Sequence, residues 1–425
     1  MKPVLFYTGK SVFEATNYDN FQDDFRVFHN SGNKLFQYSV EKFLQDNCIN
    51  YVCKKPELDE INSQYSKVII TPANILGKYA INNLVQIVNL VKKIKIPVYF
   101  LSIGIQKDDN ISIKELAKQI GTISKELINA VYATGGEFGL RGYITKEFFD
   151  YIVPNNTAVV TGCPSIFMNG IISVSNKKVE LEKFKPVING TMYYLKRNNM
   201  LDVLEQHTGF EYIDQDEFAN ELYLKKKYNN IEDALSKCTY IGTKMLSENK
   251  IKLFYDIPIW MKYLKDKQFN FSFGSRIHGS ILPILCNIPA LVDCIDSRTR
   301  EICEFFEIPI LKKYDKNLYE LYLSTDYTAF NKTFPEKYQL YKDFMMNKLK
   351  LSANITNIQY DTTSNFKMPK QNDNSYLKNL LKDFNKDVYT KKYLQYKILH
   401  KLTFGKVRKD YKNKYLLIEE LNKIK

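Results

Sequence analysis

Arginine is scarce in this chain. Of 61 basic residues in 425, only seven are arginine, and there are four histidines and one tryptophan. Lysine is therefore the default cation, and any cluster of arginine calls for a reason of its own. Long apolar runs are missing too: nothing approaches the roughly 18 residues a membrane-spanning helix requires. The opening Met1-Lys2-Pro3-Val4-Leu5-Phe6-Tyr7 reads as a first strand, because its apolar run is too short for a signal peptide and no small-residue cleavage site follows. The seven cysteines are scattered, odd in number and without metal-ligand spacing. This predicts no metal site and free thiols in a reducing cytoplasm. No Walker A, GxGxxG, HExxH or GxSxG pattern occurs, which removes the commonest nucleotide, zinc-protease and serine-hydrolase signatures. Asp214-Gln215-Asp216 matches a short metal-binding triplet found widely by chance, and it is discounted.

What is present is positive charge, unevenly placed. The net charge is +14, and residues 391–425 alone hold eleven Lys or Arg against three acids, a net +8 that leaves +6 for the rest. Such an excess suits a terminal docking segment better than a nucleic-acid-binding face, so no nucleic-acid partner is expected. Within the tail, Ile398, Leu399, Leu402 and Phe404 stand among lysines, a composition suited to the anionic inner-membrane surface. A solvated basic helix is the competing reading.

Short apolar runs ending in small-residue loops alternate with helical periodicity. Val68-Ile69-Ile70 leads into Thr71-Pro72, residues 97–101 lead into Ser102-Ile103-Gly104, and Ala158-Val159-Val160 leads into Thr161-Gly162-Cys163. Between the first two, 79–95 carries one broad apolar helical face. This is βαβ grammar, with a parallel sheet and sites at the carboxyl ends of its strands. A second series runs through 186–190, 240–243, 269–273 and 289–293. The length exceeds one usual core, and the expected fold is α/β: two Rossmann-like domains facing a cleft, 1–175 and 180–320, then a helical segment, 321–370, and a helical basic tail, 371–425.

Three of the seven arginines fall within 25 positions: Arg276, Arg298 and Arg300. Guanidinium grips carboxylate and phosphate through a rigid two-pronged fork that lysine lacks. The segment 269–273 reads as a strand, Gly274-Ser275-Arg276-Ile277-His278-Gly279 as a turn, and 280–285 as a short helix. With Ser280 as N-cap, Pro283 falls in the first turn, where its missing N–H costs little, and the free amides of that turn favour anions. Arg298 and Arg300 open the next helix, against the macrodipole. A bound anion would offset that, or Asp296 could hold Arg298 and Glu304 could hold Arg300.

Gly274-Ser275-Arg276-Ile277-His278-Gly279, followed by Ile288-Pro289-Ala290, Asp296-Ser297-Arg298 and Ile308-Pro309, resembles the signature of the polysaccharide pyruvyl transferase family. Gly32-Asn33, Ile103-Gly104, Leu140-Arg141 with Thr145, and Gly162-Cys163-Pro164-Ser165 fit in order. The tail resembles those of bacterial lipopolysaccharide and capsule glycosyltransferases. Members resemble GT-B glycosyltransferases in fold and form ketals on sugar hydroxyls, with phosphoenolpyruvate as donor and no cofactor. The resemblance implies a donor site of Arg276, His278, Arg298 and the N-domain Arg141, with Gly279, Ser280 and Arg300 beside them. Asn33, Ser102 and Gly104 are the acceptor-side candidates for a glycan or lipid-linked oligosaccharide. His278 titrates in the range of a general acid or base. Glu137, in Thr134-Gly135-Gly136-Glu137, is a weaker candidate base, and a solvated loop carboxylate competes with it. Two departures stand out: Thr71-Pro72-Ala73-Asn74 replaces a glycine triplet, and Gly142 replaces an acid. A nucleotide-sugar glycosyltransferase on the same scaffold is the alternative. The expected location is cytoplasmic, held peripherally at the inner membrane.

Overall fold

The computed structural model describes residues 2–13, 30–72, 74–108, 110–190, 209–215, 250–254 and 256–351. The expected strand at 240–243, the tail at 371–425, and His29, His207 and His400 lie outside these residues.

Two parallel sheets form the frame. The first orders its strands β2-β1-β3-β4-β5-β6, from β1 (Val4–Tyr7), β2 (Tyr51–Lys54), β3 (Lys67–Ile70), β4 (Val98–Ile103), β5 (Glu137–Leu140) and β6 (Val159–Val160). The second is β11-β10-β7-β8-β9, from β7 (Pro186–Gly190), β8 (Glu211–Asp214), β9 (Ile251–Leu253), β10 (Phe271–Gly274) and β11 (Ala290–Val292). Every strand pairing among the described residues is parallel. Strands covered on both faces read as unbroken apolar runs rather than alternating ones, and β4, β7 and β10 are buried along their whole length.

Helices cover both sheets. In the first half they are α1 (Ser31–Asp46), α2 (Leu58–Gln64), α3 (Ile81–Val91), α4 (Ile113–Ala133) and α5 (Tyr143–Ile152). The second has α6 (Ile257–Asp266), α7 (Ile277–Leu285), α8 (Ser297–Phe306), α9 (Leu318–Ser324) and α10 (Thr328–Asp343). Local chemistry sets several starts: Ser112 and Glu115 form a capping box on α4, while Asn30 and Asp296 cap α1 and α8 through their side chains. The apolar face expected over 79–95 is tighter in the structure, since α3 ends at Val91.

In each sheet the strand order reverses once. The reversal lies between β1 and β3 in the first and between β7 and β10 in the second. Parallel sheets bind ligands outside the carboxyl ends of their strands at such points. One apolar core joins the halves: Phe36 and Phe43 of α1 belong to the same cluster as Ile281 and Ile284 of α7 and Phe306 of α8. The Phe167 ring, between the sheets, lies 5.3 Å from Phe306 and stacks 4.7 Å from Tyr341 of α10. The chain after α10 returns to the first sheet, where Lys67 Nζ donates to the Lys350 carbonyl at 2.8 Å. The described part of the expected 321–370 helical segment, which runs to residue 351, thus ends against the first half.

Candidate active site

The turn after β10 is set by a single side chain. Asn189, near the end of β7, accepts the Arg276 N–H on its Oδ1 at 2.9 Å. Its Nδ2 reaches Ser272 Oγ at 3.3 Å and Ser280 Oγ at 3.2 Å. Gly274 has φ of 157°, and a Cβ there would stand 1.6 Å from the Asn189 carbonyl oxygen. Only glycine lets the two strands close at this point. The expected Ser280 cap is corrected: the N-cap of α7 falls four residues earlier, at Arg276. Ser280 is spent on Asn189, and Pro283 sits inside the helix rather than in its first turn.

Across the cleft, the N-terminus of α1 presses directly on this turn. A Cβ on Gly32 would lie 2.9 Å from His278 Cβ and 2.7 Å from Gln215 Oε1, so the absence of a side chain lets the halves meet. Between them is a cavity of about 100 Å³ lined by Arg141 and Cys163 from the first half and by Gln215, Arg276, His278 and Arg298 from the second. Asn30, Asn33, Phe36 and Asn74 also line it on the first-half side.

Arg141 is only 5% exposed. Its guanidinium donates to Asn74 Oδ1 at 2.6 Å and to the Ser102 carbonyl at 3.2 Å. Arg298 pairs with Asp296, Nη2 to Oδ2 at 2.8 Å, while Asp296 Oδ1 caps Thr299 N at 3.0 Å. That pair offsets the macrodipole conflict without a ligand, and Arg298 still faces the cavity. His278 Nε2 lies 3.7 Å from Cys163 Sγ. Burial first, then the charges of Arg141, Arg298 and Arg276, hold its imidazole down to about 3. The expectation of an imidazole titrating near neutrality is therefore corrected. Burial, reinforced by three guanidiniums, keeps it neutral, and it starts as a proton acceptor. The Cys163 thiol is pushed up by burial, with Arg141 opposing, so it retains its proton.

Several candidates lie elsewhere. Glu137 is at the amino end of β5, bonded to Thr157 Oγ1 at 2.6 Å. The cleft is at the opposite, carboxyl edge, so Glu137 cannot serve as its base. Arg300 is not among the cavity-lining residues, and its charge acts near Cys303. Ser102 is fully buried beneath Arg141 with φ of 53°. Gly104 lies under Arg141 and Glu301, and Gly279 faces Asn189 and Gln215. These residues support the site without lining it. Asn33 does line it.

The sequence reading passed over Gln215, Asn74, Asn189, Cys163 and Glu301. Gln215 is 4% exposed with its Nε2 buried and unpartnered at the cavity wall. It sat inside the discounted Asp214-Gln215-Asp216 triplet, whose Asp214 is fully buried at the end of β8.

Glu301 of α8 is fully buried and crosses the cleft, accepting from Thr145 Oγ1 at 2.8 Å and Thr145 N at 3.1 Å. Burial pushes its carboxyl up to about 7 from 4.5, against the pull of Arg141. A raised acid binds protons more readily in the folded chain, so its contribution to stability falls as pH rises from the unfolded to the folded value. His278 gives the opposite slope below its ordinary value, so wild-type stability alone will not isolate Glu301. Glu301→Gln removes the ionisation and keeps an acceptor. The variant is expected to gain on the wild type between about pH 5 and 8, by up to about 3 kcal/mol at the top. A flat difference between the two thermal-unfolding curves across that range would refute the assignment.

Solved structures with similar shape include the Staphylococcus aureus MnaA–UDP co-structure, at 11% identity and TM-score 0.40, covering 83% of this chain and 98% of that one. The glycosyltransferase SnogD from Streptomyces nogalater gives 8% identity, TM-score 0.30 and coverage of 74% and 76%. Acinetobacter baumannii MurG gives 11%, 0.26, and 83% and 96%. Likeness this distant carries no inference about chemistry. No curated protein matches the chain. The profile of the family described as polysaccharide pyruvyl transferase matches residues 30–292. That span holds the switch point of the second sheet, Arg141, Arg276 and His278, and the chain belongs to the polysaccharide pyruvyl transferase family.

Proposed function

We propose that the protein transfers a pyruvyl group from phosphoenolpyruvate to two hydroxyls of a sugar in a bacterial cell-surface glycan. The observation that carries this reading is the convergence of three guanidiniums and a neutral imidazole on a cavity of about 100 Å³. That volume suits a small anion and falls below the roughly 300–1,000 Å³ of pockets for larger ligands. Phosphoenolpyruvate carries a phosphate and a carboxylate, and Arg141, Arg276 and Arg298 would clamp them from both sides of the cleft.

The donor brings negative charge against the three guanidiniums whose repulsion, after burial, holds the His278 imidazole down, so the imidazole can then hold a proton. Addition of a proton to the donor's methylene carbon gives an oxocarbenium-like neighbouring carbon. A sugar hydroxyl attacks that carbon and loses its proton to the base. The phosphate leaves with the second hydroxyl's proton as that oxygen closes the ketal. Atoms balance: the methyl gains one proton, inorganic phosphate the other. The basic tail at 391–425 is assigned reversible docking on the anionic inner leaflet, beside a lipid-linked acceptor.

The test is thermal protection of the full chain. Phosphoenolpyruvate is expected to raise the unfolding temperature and nucleotide sugars to leave it unchanged. Protection by a nucleotide sugar alone would replace this reading with glycosyl transfer. Incubation with candidate lipid-linked oligosaccharides should then release phosphate and add a pyruvate-sized mass.

A further inference from the structure

A second, larger cavity opens from the first. It holds about 660 Å³ and shares Asn33, Phe36 and Asn74 with the arginine cavity. It lies at the reversal between β1 and β3, running from α1 past Tyr7, Thr71 and Pro72 to α3. Sequence reasoning missed it because its walls come from five separate segments.

Its chemistry is selective. Five carboxamides line it, those of Asn33, Gln37, Asn74, Asn83 and Gln86, and Lys55 is the one charged side chain among the lining residues. A carboxamide offers both donor and acceptor, as a hydroxyl does, so such walls suit a polyol. The Phe36 and Tyr7 rings supply flat apolar surface for a sugar face. Asn74 already gives its Oδ1 to Arg141, so its NH₂ is the end that faces a ligand. Asn33 and Asn74 border the donor cavity, so the hydroxyls to be modified belong there. Lys55 follows β2, the edge strand, and is exposed, its Nζ 5.9 Å from the Tyr7 ring centroid. It lines this cavity and not the one that holds the arginines. No carboxylate among the lining residues would repel an anion.

We infer that this groove binds the acceptor as a hydroxyl-rich sugar bearing an acidic group, with the reacting hydroxyls at Asn33 and Asn74 and the acid at Lys55. The inference deepens the transferase reading and rests on it. Carboxylate and phosphate share the chemistry Lys55 recognises, so the acid is either a sugar carboxylate or a sugar phosphate.

The experiment uses saturation-transfer NMR on the full-length protein with glucuronic acid, glucose 1-phosphate and glucose, on wild type, Lys55→Glu and Asn83→Ala. Both positions are exposed, so folding should survive, and a thermal scan with phosphoenolpyruvate checks it. At least one acidic sugar is expected to bind about tenfold more tightly than glucose. Lys55→Glu should abolish that preference and leave donor protection intact, and Asn83→Ala should weaken every sugar that binds. Whichever acid wins identifies its source. Equal binding of glucose, or acidic-sugar binding indifferent to Lys55→Glu, overturns the inference while donor protection still stands. Conversely, failure of phosphoenolpyruvate to protect, with Lys55-dependent sugar binding preserved, overturns the donor and keeps the groove.

Discussion

Arg276→Lys is expected to lower kcat/KM by about 10²–10³-fold, and Arg276→Ala by little more. Removing a preorganised donor from a site of developing charge typically costs that much. The reason lysine should not rescue is geometric. The backbone of Arg276 is fixed at the N-cap of α7 by Asn189, so the side chain leaves from a set point toward the cavity. A guanidinium there presents a planar fork to a phosphate or carboxylate, whereas an ammonium presents a point charge on a flexible stem. In a chain of seven arginines and 54 lysines, lysine is the default cation, which makes the contrast informative. Phosphate release from phosphoenolpyruvate at several donor concentrations gives the measurement. Full activity in the lysine variant would show that charge alone suffices, and the bidentate clamp would be wrong.

What the sequence made legible follows a physical rule. Buried parallel strands announce themselves as apolar runs, so the segments around β3, β4, β6, β7, β10 and β11 were readable. Scarce residue types also carry information, which is why Arg276, Arg298 and His278 could be found without coordinates. The start of α7 was misjudged because Pro283 suggested a first turn and Ser280 a cap. In the fold Ser280 is bound by Asn189, a residue 91 positions away. The same distance problem hid the rest. Arg141 meets Asn74 across 67 positions and Thr145 meets Glu301 across 156, and no local pattern encodes either. Glu137 is a weaker candidate from sequence because a carboxylate in a glycine-containing segment can be either a base or a solvated loop residue. Strand direction decides that question, since β5 starts at Glu137 and delivers its other end, Leu140 and then Arg141, to the cleft.

His278→Asn is expected to reduce kcat by about 10²–10⁴-fold, the usual contribution of a positioned acid or base, while donor protection persists. Asparagine keeps a polar atom where His278 Nδ1 faces Gly32 and gives up the Nε2 end beside Cys163, so persisting donor protection is what shows that the packing of the site survives. A second readout separates the roles. Free His278 is held down to about 3 by burial and by Arg141, Arg298 and Arg276, and an anionic donor neutralises that repulsion. Linkage then requires that a donor which raises the imidazole's proton affinity also bring a proton with it. Calorimetry of phosphoenolpyruvate binding near pH 6.5, in two buffers of different ionisation enthalpy, should show fractional proton uptake by the wild type and much less by His278→Asn. The uptake should diminish as pH rises and the imidazole stays neutral even with the donor bound. Equal uptake in both proteins would move the proton to another group, with Glu301 next in line because its carboxyl sits at about 7. Undiminished turnover in the variant would remove His278 from the chemistry and leave the arginines as a binding site alone.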